Sequence, residues 1–153
     1  MSEALVSSGR AITTELRLPS RLGFEKVAMN TAATVAQIMG FPEHRIEDLK
    51  TAVAEACINA IEHGNRLDES LTVLVILSIA AGTLEVKVVD RGTGVKSSTI
   101  PAPNLDRKMH GEEDVRGMGM FLIQSLVDEA EWVSGNPEGS YARLAIHLDR
   151  EEL

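Results

Sequence analysis

Cysteine is nearly missing from this chain of 153 residues. Cys57 stands alone, so no intrachain disulfide can staple the fold. Aromatic side chains are scarce as well, at 3% of the sequence, so a core has to be assembled from Leu, Ile, Val, Ala and Met. Basic residues number 15 against 23 acidic ones, a net charge of −8, which argues against a nucleic acid or an anionic membrane surface as the main partner. An anionic ligand held locally by backbone N–H groups is still allowed. No apolar run is long enough to cross a bilayer. The longest, near Leu71 to Ala81, is interrupted by Thr72 and Ser78. The opening MSEALVSSGR lacks a basic region followed by an apolar core, so no signal peptide is expected and the chain reads as cytoplasmic.

What is present is ordinary globular composition, 44% hydrophobic and 25% charged, in a length that suits one domain over residues 1–153. Residues 1–10 read as a loose tail. Ile12, Thr14, Leu16 and Leu18 alternate with polar or small neighbours as a half-buried strand does, and Pro19 ends it. Ser20 is placed to cap a helix in which Phe24, Val27, Ala28, Thr31, Val35, Ile38 and Met39 keep helical spacing up to Gly40. Leu71–Ala80 and Leu84–Val89 predict two strands joined by a short connection at Ala81-Gly82-Thr83. Residues 96–116 carry no sustained periodicity, and a structureless stretch of that length is more often a functional lid than a plain loop. A helix is expected over Met120–Glu129, a short strand over Glu131–Ser134, a turn at Gly135–Gly139 and a last strand over Ser140–Leu148. Short strand-to-strand connections favour a mixed, mostly antiparallel sheet. Three helices then cover one of its faces, giving an α+β two-layer sandwich.

The helix expected over Pro42–His63 is the most informative stretch. Ile46, Leu49, Val53, Cys57 and Ala60 recur at steps of three and four and form one buried stripe. Cys57 therefore reads as a small buried hydrophobe, not a reactive thiol. Glu55 and Asn59 fall one turn apart on another face, with Ala52 and Ala56 near them. A carboxylate and a carboxamide there stand over a low floor on which a flat ligand could lie; an ordinary solvated helix face would look the same. Gly64 is placed to stop the helix.

Two glycine-containing runs add to this. In D-R-G-T-G, at the end of a strand, Asp90 can accept a hydrogen bond from an exocyclic amine, while Gly92 and Gly94 permit positive φ and let backbone approach a flat ring. In G-M-G, Gly117 and Gly119 open a helix whose free N–H groups and dipole suit a phosphate, with Arg116 beside them. The chain has no G-x-x-x-x-G-K-[ST] run, so this is not a P-loop.

Taken together, E-A-C-I-N-A-I-E-H-G-N, D-R-G-T-G and R-G-M-G-M-F-L-I resemble the N box and the two glycine boxes of the GHKL (Bergerat-fold) ATPases. Within them the chain is most similar to the anti-sigma-factor serine kinases of the RsbW and SpoIIAB type, in order from residue 12 to residue 148. The resemblance implies that Asn59 ligates a Mg²⁺ that bridges the phosphates of ATP, and that Glu55 is the general base for a serine hydroxyl. It implies that Asp90 binds the adenine amino group, with Gly92 and Gly94 shaping that end and Ser140 standing where the family often has threonine. Gly117 and Gly119 would meet the phosphates with help from Arg116, and His63 would touch phosphate or cap its helix. ATP and ADP would be the nucleotides, a sigma factor and a STAS-domain antagonist the protein partners, and a homodimer through the first strand and the helix near Leu22–Met39 the assembly. A nucleotide-gated binding module without kinase activity, or a kinase of another STAS-domain regulator, is the other outcome the motifs allow. The chain departs from the pattern in its long polar lid and in Arg116 standing directly before Gly117.

Overall fold

A computed structural model describes residues 11–92, 115–137 and 139–149. The tail expected at 1–10, Gly94 and nearly all of the lid expected at 96–116 lie outside the described residues.

Five strands form one sheet in the order β1-β2-β3-β5-β4, and every described pairing is antiparallel rather than mixed. The strands are β1 (Ile12–Pro19), β2 (Thr72–Ala80), β3 (Thr83–Asp90), β4 (Glu129–Asn136) and β5 (Gly139–His147). The β2–β3 link is a two-residue turn in which Ala81 (φ 51°) and Gly82 (φ 78°) are both left-handed, the geometry that matches strand twist. β2 and β3 alternate strictly. Val73, Val75, Leu77 and Ile79 point the same way as Leu84, Val86 and Val88, into the core.

Among the described residues three α-helices accompany the sheet: α1 (Glu25–Met39), α2 (Glu43–Asn59) and α3 (Val115–Leu126). α2 is the central one, packed against α1, α3 and the core-facing side of β3 and β5. The expected stripe of Ile46, Leu49, Val53, Cys57 and Ala60 is buried. Burying each such aliphatic side chain is worth about 1.5–3 kcal/mol. α2 is more enclosed than a simple amphipathic helix, because Ala52, Ala56 and Asn59 are buried too. α1 departs from the reading in another way. It seats Ala28, Ala32, Ala36 and Met39 in the core, while Phe24, Val27 and Ile38 are exposed. Small alanines let α1 lie close against α2, which turns its larger apolar side chains outward.

All three helices have a boundary that differs from expectation for physical reasons. Ser20 does not cap α1: Phe24 occupies the cap position without a side-chain bond. The Ser20 hydroxyl instead donates to the Leu71 carbonyl and accepts from Asn65. Gly64 does not stop α2 by a left-handed turn. After Asn59 the helix widens into a π-helical segment, Ala60–Gly64, and the chain turns left-handed at Arg66 (φ 53°) and Leu67 (φ 60°). α3 begins at Val115 and ends at Leu126, three residues earlier than expected, because Asp128 N–H is claimed by the Ala145 carbonyl as β4 starts.

Candidate nucleotide site

The site lies where β3 and β5 meet the second half of α2. Strand register sets Asp90 directly opposite Ser140, and both side chains are buried. Asn59 comes down on the same place from α2. Ala56, Asn59, Ala60, Asp90, Trp132 and Ser140 line one cleft. The space it encloses is about 10 Å³, room for roughly one water molecule, so a flat base would lie across its mouth.

Asn59 is 7% exposed, and its Nδ2 has no hydrogen-bond partner among the described residues. A buried amide without a partner costs about 1–3 kcal/mol. A helix retains such a group where a ligand completes it. Among the described residues no three His, Cys, Asp or Glu gather as a metal cage. Magnesium needs no such cage, since it keeps waters and is commonly held by one or two protein oxygens plus phosphates. Asn59 Nδ2 is a hydrogen-bond donor, free to meet an acceptor on a ligand, while the carboxamide oxygen Oδ1 is the atom that would hold magnesium together with phosphate oxygens.

Asp90 is held by its surroundings. Gly92 N–H donates to its Oδ1 at 2.7 Å, and the Ser140 hydroxyl donates to the Gly92 carbonyl at 2.9 Å. The glycines around it are there for space. A Cβ on Gly64 would overlap the Asp90 carboxylate, and one on Gly92 would overlap the Gly64 carbonyl. Neither Gly64 nor Gly92 has positive φ, so close approach, not left-handed backbone, is what demands glycine at these two positions. Gly139 needs glycine on both counts, with φ 120° and the Asp90 carbonyl against it.

Glu55 is half-buried one turn before Asn59, and the α-carbon of Gly119 packs against its carboxylate. That contact brings α3 against the Glu55 turn of α2. Gly117 and Gly119 are the third and fifth described residues of α3. Arg116 is helical. His63 is exposed and is not among the residues lining the Asn59 cleft; it lines a wider cavity of about 440 Å³ with Gly64, Asn65, Arg66, Arg91 and Gly92.

Two residues at this site were given no role by the motifs, although Asn65 closes the E-A-C-I-N-A-I-E-H-G-N run. Trp132, on β4, walls the Asn59–Asp90 cleft opposite the small Ala142. Asn65 is 1% exposed and bonds to the backbone beside Asp90. The only hint in the sequence was a polar residue following His63-Gly64, which reads as part of a turn.

The matching family is that of the Histidine kinase-like ATPase domain, over residues 18–146. A serine-protein kinase RsbW from Oceanobacillus iheyensis is 32% identical over 149 residues, covering 91% of this chain and 89% of the relative. One from Bacillus thuringiensis is 28% identical, covering 91% and 87%. In the crystal structure of the RsbU and RsbW domains of Rv1364c from Mycobacterium tuberculosis, a chain superposes with a TM-score of 0.64 at 21% identity. It is matched by 91% of this chain, which spans 33% of that longer one. The chain belongs to the histidine kinase-like ATPase family, as an RsbW-like, ATP-dependent protein-serine kinase.

Proposed function

We propose that this chain phosphorylates a serine on a small STAS-domain antagonist and, when that antagonist is phosphorylated, holds a sigma factor. The observation that carries the reading is that Asn59, Asp90 and Ser140 line one cleft at the end of β3 and the start of β5, with Glu55 one helical turn from Asn59. Asp90 would accept a hydrogen bond from the adenine amino group, with Ser140 and Gly92 keeping its loop in place. Asn59 would hold magnesium together with phosphate oxygens; the ion, when bound, offsets phosphate charge. Glu55 would take the proton from the serine hydroxyl as its oxygen bonds to the γ-phosphorus and the bond to the β-phosphate oxygen breaks, releasing ADP. Gly117, Arg116 and the expected lid would cover the phosphates, and Gly94 would border the base.

The partner-switching cycle, a cytoplasmic location and a single functional domain over the whole chain belong to this proposal. So does a homodimer. Its support is the apolar face left open on α1 and β1: Val27 is 44% exposed, Ile38 39% and Ile12 38%. A monomer mass at micromolar concentration would remove that part.

The test of the kinase is transfer of labelled phosphate from ATP and Mg²⁺ to a small protein in lysate of the source organism, with Glu55→Ala alongside. Label that depends on Glu55 supports the reading and supplies the substrate for identification. ATP binding without transfer to a supplied STAS partner would make the chain a nucleotide-gated binding module instead.

A further inference from the structure

Asn65 follows the π-helical segment and is fully enclosed, yet all of its polar atoms are used. Its Oδ1 accepts from the Arg91 backbone N–H at 2.7 Å. Its Nδ2 donates to the Ser20 hydroxyl at 2.9 Å and to the Thr72 carbonyl at 3.2 Å. Its own N–H closes the π turn on the Ala60 carbonyl at 2.8 Å. A backbone donor on one side and a backbone carbonyl on the other fix which way the amide points. Ser20, itself 0% exposed, passes the chain of bonds on to the Leu71 carbonyl.

This arrangement ties four segments together at one point: the exit of β1, the end of α2, the start of β2 and the residue after Asp90. The link to Arg91 is the one that matters for the nucleotide. β3 ends at Asp90, so its ladder no longer holds the chain beyond that residue. A side chain has taken over the role of a sheet partner at the first residue outside the strand.

We propose that Asn65 is a positioning residue for the nucleotide site: by holding the Arg91 amide it sets the direction in which the Asp90 carboxylate faces the base, with Ser20 as its anchor. The inference rests on the reading of Asp90 as the adenine contact. Asn65 touches no nucleotide itself. It adds a hold at Arg91 to those that Asp90 and Ser140 place on Gly92, which lowers the ordering cost of binding.

The test is the dissociation constant for ADP, by calorimetry, of wild type, Asn65→Ala, Asn65→Asp and Ser20→Ala, together with their thermal midpoints. All three variants lose bonds to the Ser20–Thr72 side and melt earlier. Only Asn65→Ala also loses the acceptor for Arg91. It is expected to bind ADP about tenfold more weakly, the scale of one lost hydrogen bond, while Asn65→Asp and Ser20→Ala stay within about twofold. ADP binding by Asn65→Ala within about twofold of wild type would overturn the proposal. So would affinities that fall in all three variants in proportion to their melting points, since that is what a purely structural residue gives. If Asn65→Ala does not fold, amide exchange in nucleotide-free wild type decides: an Arg91 N–H protected like the amides of β3 supports the role, and one that exchanges freely refutes it. A wild type that binds no ADP, or an Asp90→Asn variant that binds it normally, would instead refute the assignment of Asp90.

Discussion

The α-carbon of Gly119 rests against the carboxylate of Glu55, and a methyl group added there would overlap it. The atom it would strike is the far end of a flexible side chain, so the fold can absorb the change by swinging Glu55 away. Gly119→Ala should therefore leave stability almost untouched, or raise it by up to about 1 kcal/mol, because alanine favours a helix interior. Phosphotransfer should suffer, since a general base is worth about 10²–10⁴ in rate only while it reaches its proton. The expected result is a melting point near that of wild type and a kcat lowered by about a hundredfold. Normal turnover by Gly119→Ala would mean that the carboxylate's present position is irrelevant to transfer.

Gly92→Ala is expected to behave in the opposite way. Its Cβ would meet the Gly64 backbone carbonyl, which has no rotamer through which to escape. Overpacking of this kind costs about 1–3 kcal/mol. A denaturant midpoint should fall accordingly, and nucleotide affinity with it, because the shift acts on the loop that holds Asp90. At Gly117 no described atom lies within 4 Å of an added Cβ, so Gly117→Ala is the control that should keep its stability. Equal midpoints for the three glycine variants would contradict the packing described.

The elements that were legible in the sequence are those in which period and punctuation agree. β2 and β3 alternate without a break, Ala81-Gly82 fits its turn, and α1 ends at Gly40 with φ 96°, where glycine costs nothing. Ile46 through Ala60 announced the core of α2 by spacing alone. The identity of Asp90, Asn59 and Glu55 as a group came from three short runs read together with a resemblance, and strand register then set Asp90 opposite Ser140. What stayed hidden depends on contacts between distant segments. Ser20 has the composition of a cap, but the Leu71 carbonyl and Asn65, 51 and 45 residues away, claim its hydroxyl. Gly64 looked like a helix stop, although Asp90 is what forbids a side chain there. Phe24, Val27 and Ile38 keep core spacing yet face outward, because the alanines of α1 bring the opposite stripe closer to α2. A one-dimensional pattern ranks faces by apolarity, while packing here chose the face of smallest side chains.

Cys57 offers a direct probe of whether α2 opens. It is fully buried, and burial first, with the nearby charge of Glu25 second, pushes its thiol up to about 12 from 9.0. A neutral, enclosed thiol is a poor nucleophile. In the native protein at pH 8 a thiol reagent should react with it no faster than the protein unfolds, and denaturant should release one equivalent at once. The same shift has a stability consequence. The unfolded chain gives up this proton above about pH 9 and the folded one does not, so stability is complete below pH 9 and declines from there toward pH 12. Rapid labelling under native conditions would show that the core around α2 opens without global unfolding.

On the sheet face turned away from the core, Arg143 holds Glu85 at 2.6 Å and Glu129 at 3.2 Å, and His147 Nε2 meets the other oxygen of Glu129. Hydrogen bonds from Arg143 and then from His147 hold the Glu129 carboxyl below its ordinary value of 4.5. A carboxylate depressed in the folded state contributes stability that is complete above the unfolded value, here about pH 4.5, and is lost as pH falls through the folded one. Glu129→Gln removes the titrating group while keeping its size. Melting points measured from pH 6 down to pH 3 should therefore fall less steeply for Glu129→Gln than for wild type, with a constant gap between the two curves above about pH 4.5 that closes below it. The group is exposed, so the gap should shrink in 1 M salt, where the screening length is about 3 Å. Parallel curves at low salt would show that this cluster joins β3, β4 and β5 without contributing to acid stability. The ion pair of Arg45 with Asp128, which links α2 to the start of β4, would then be the next carboxylate to replace.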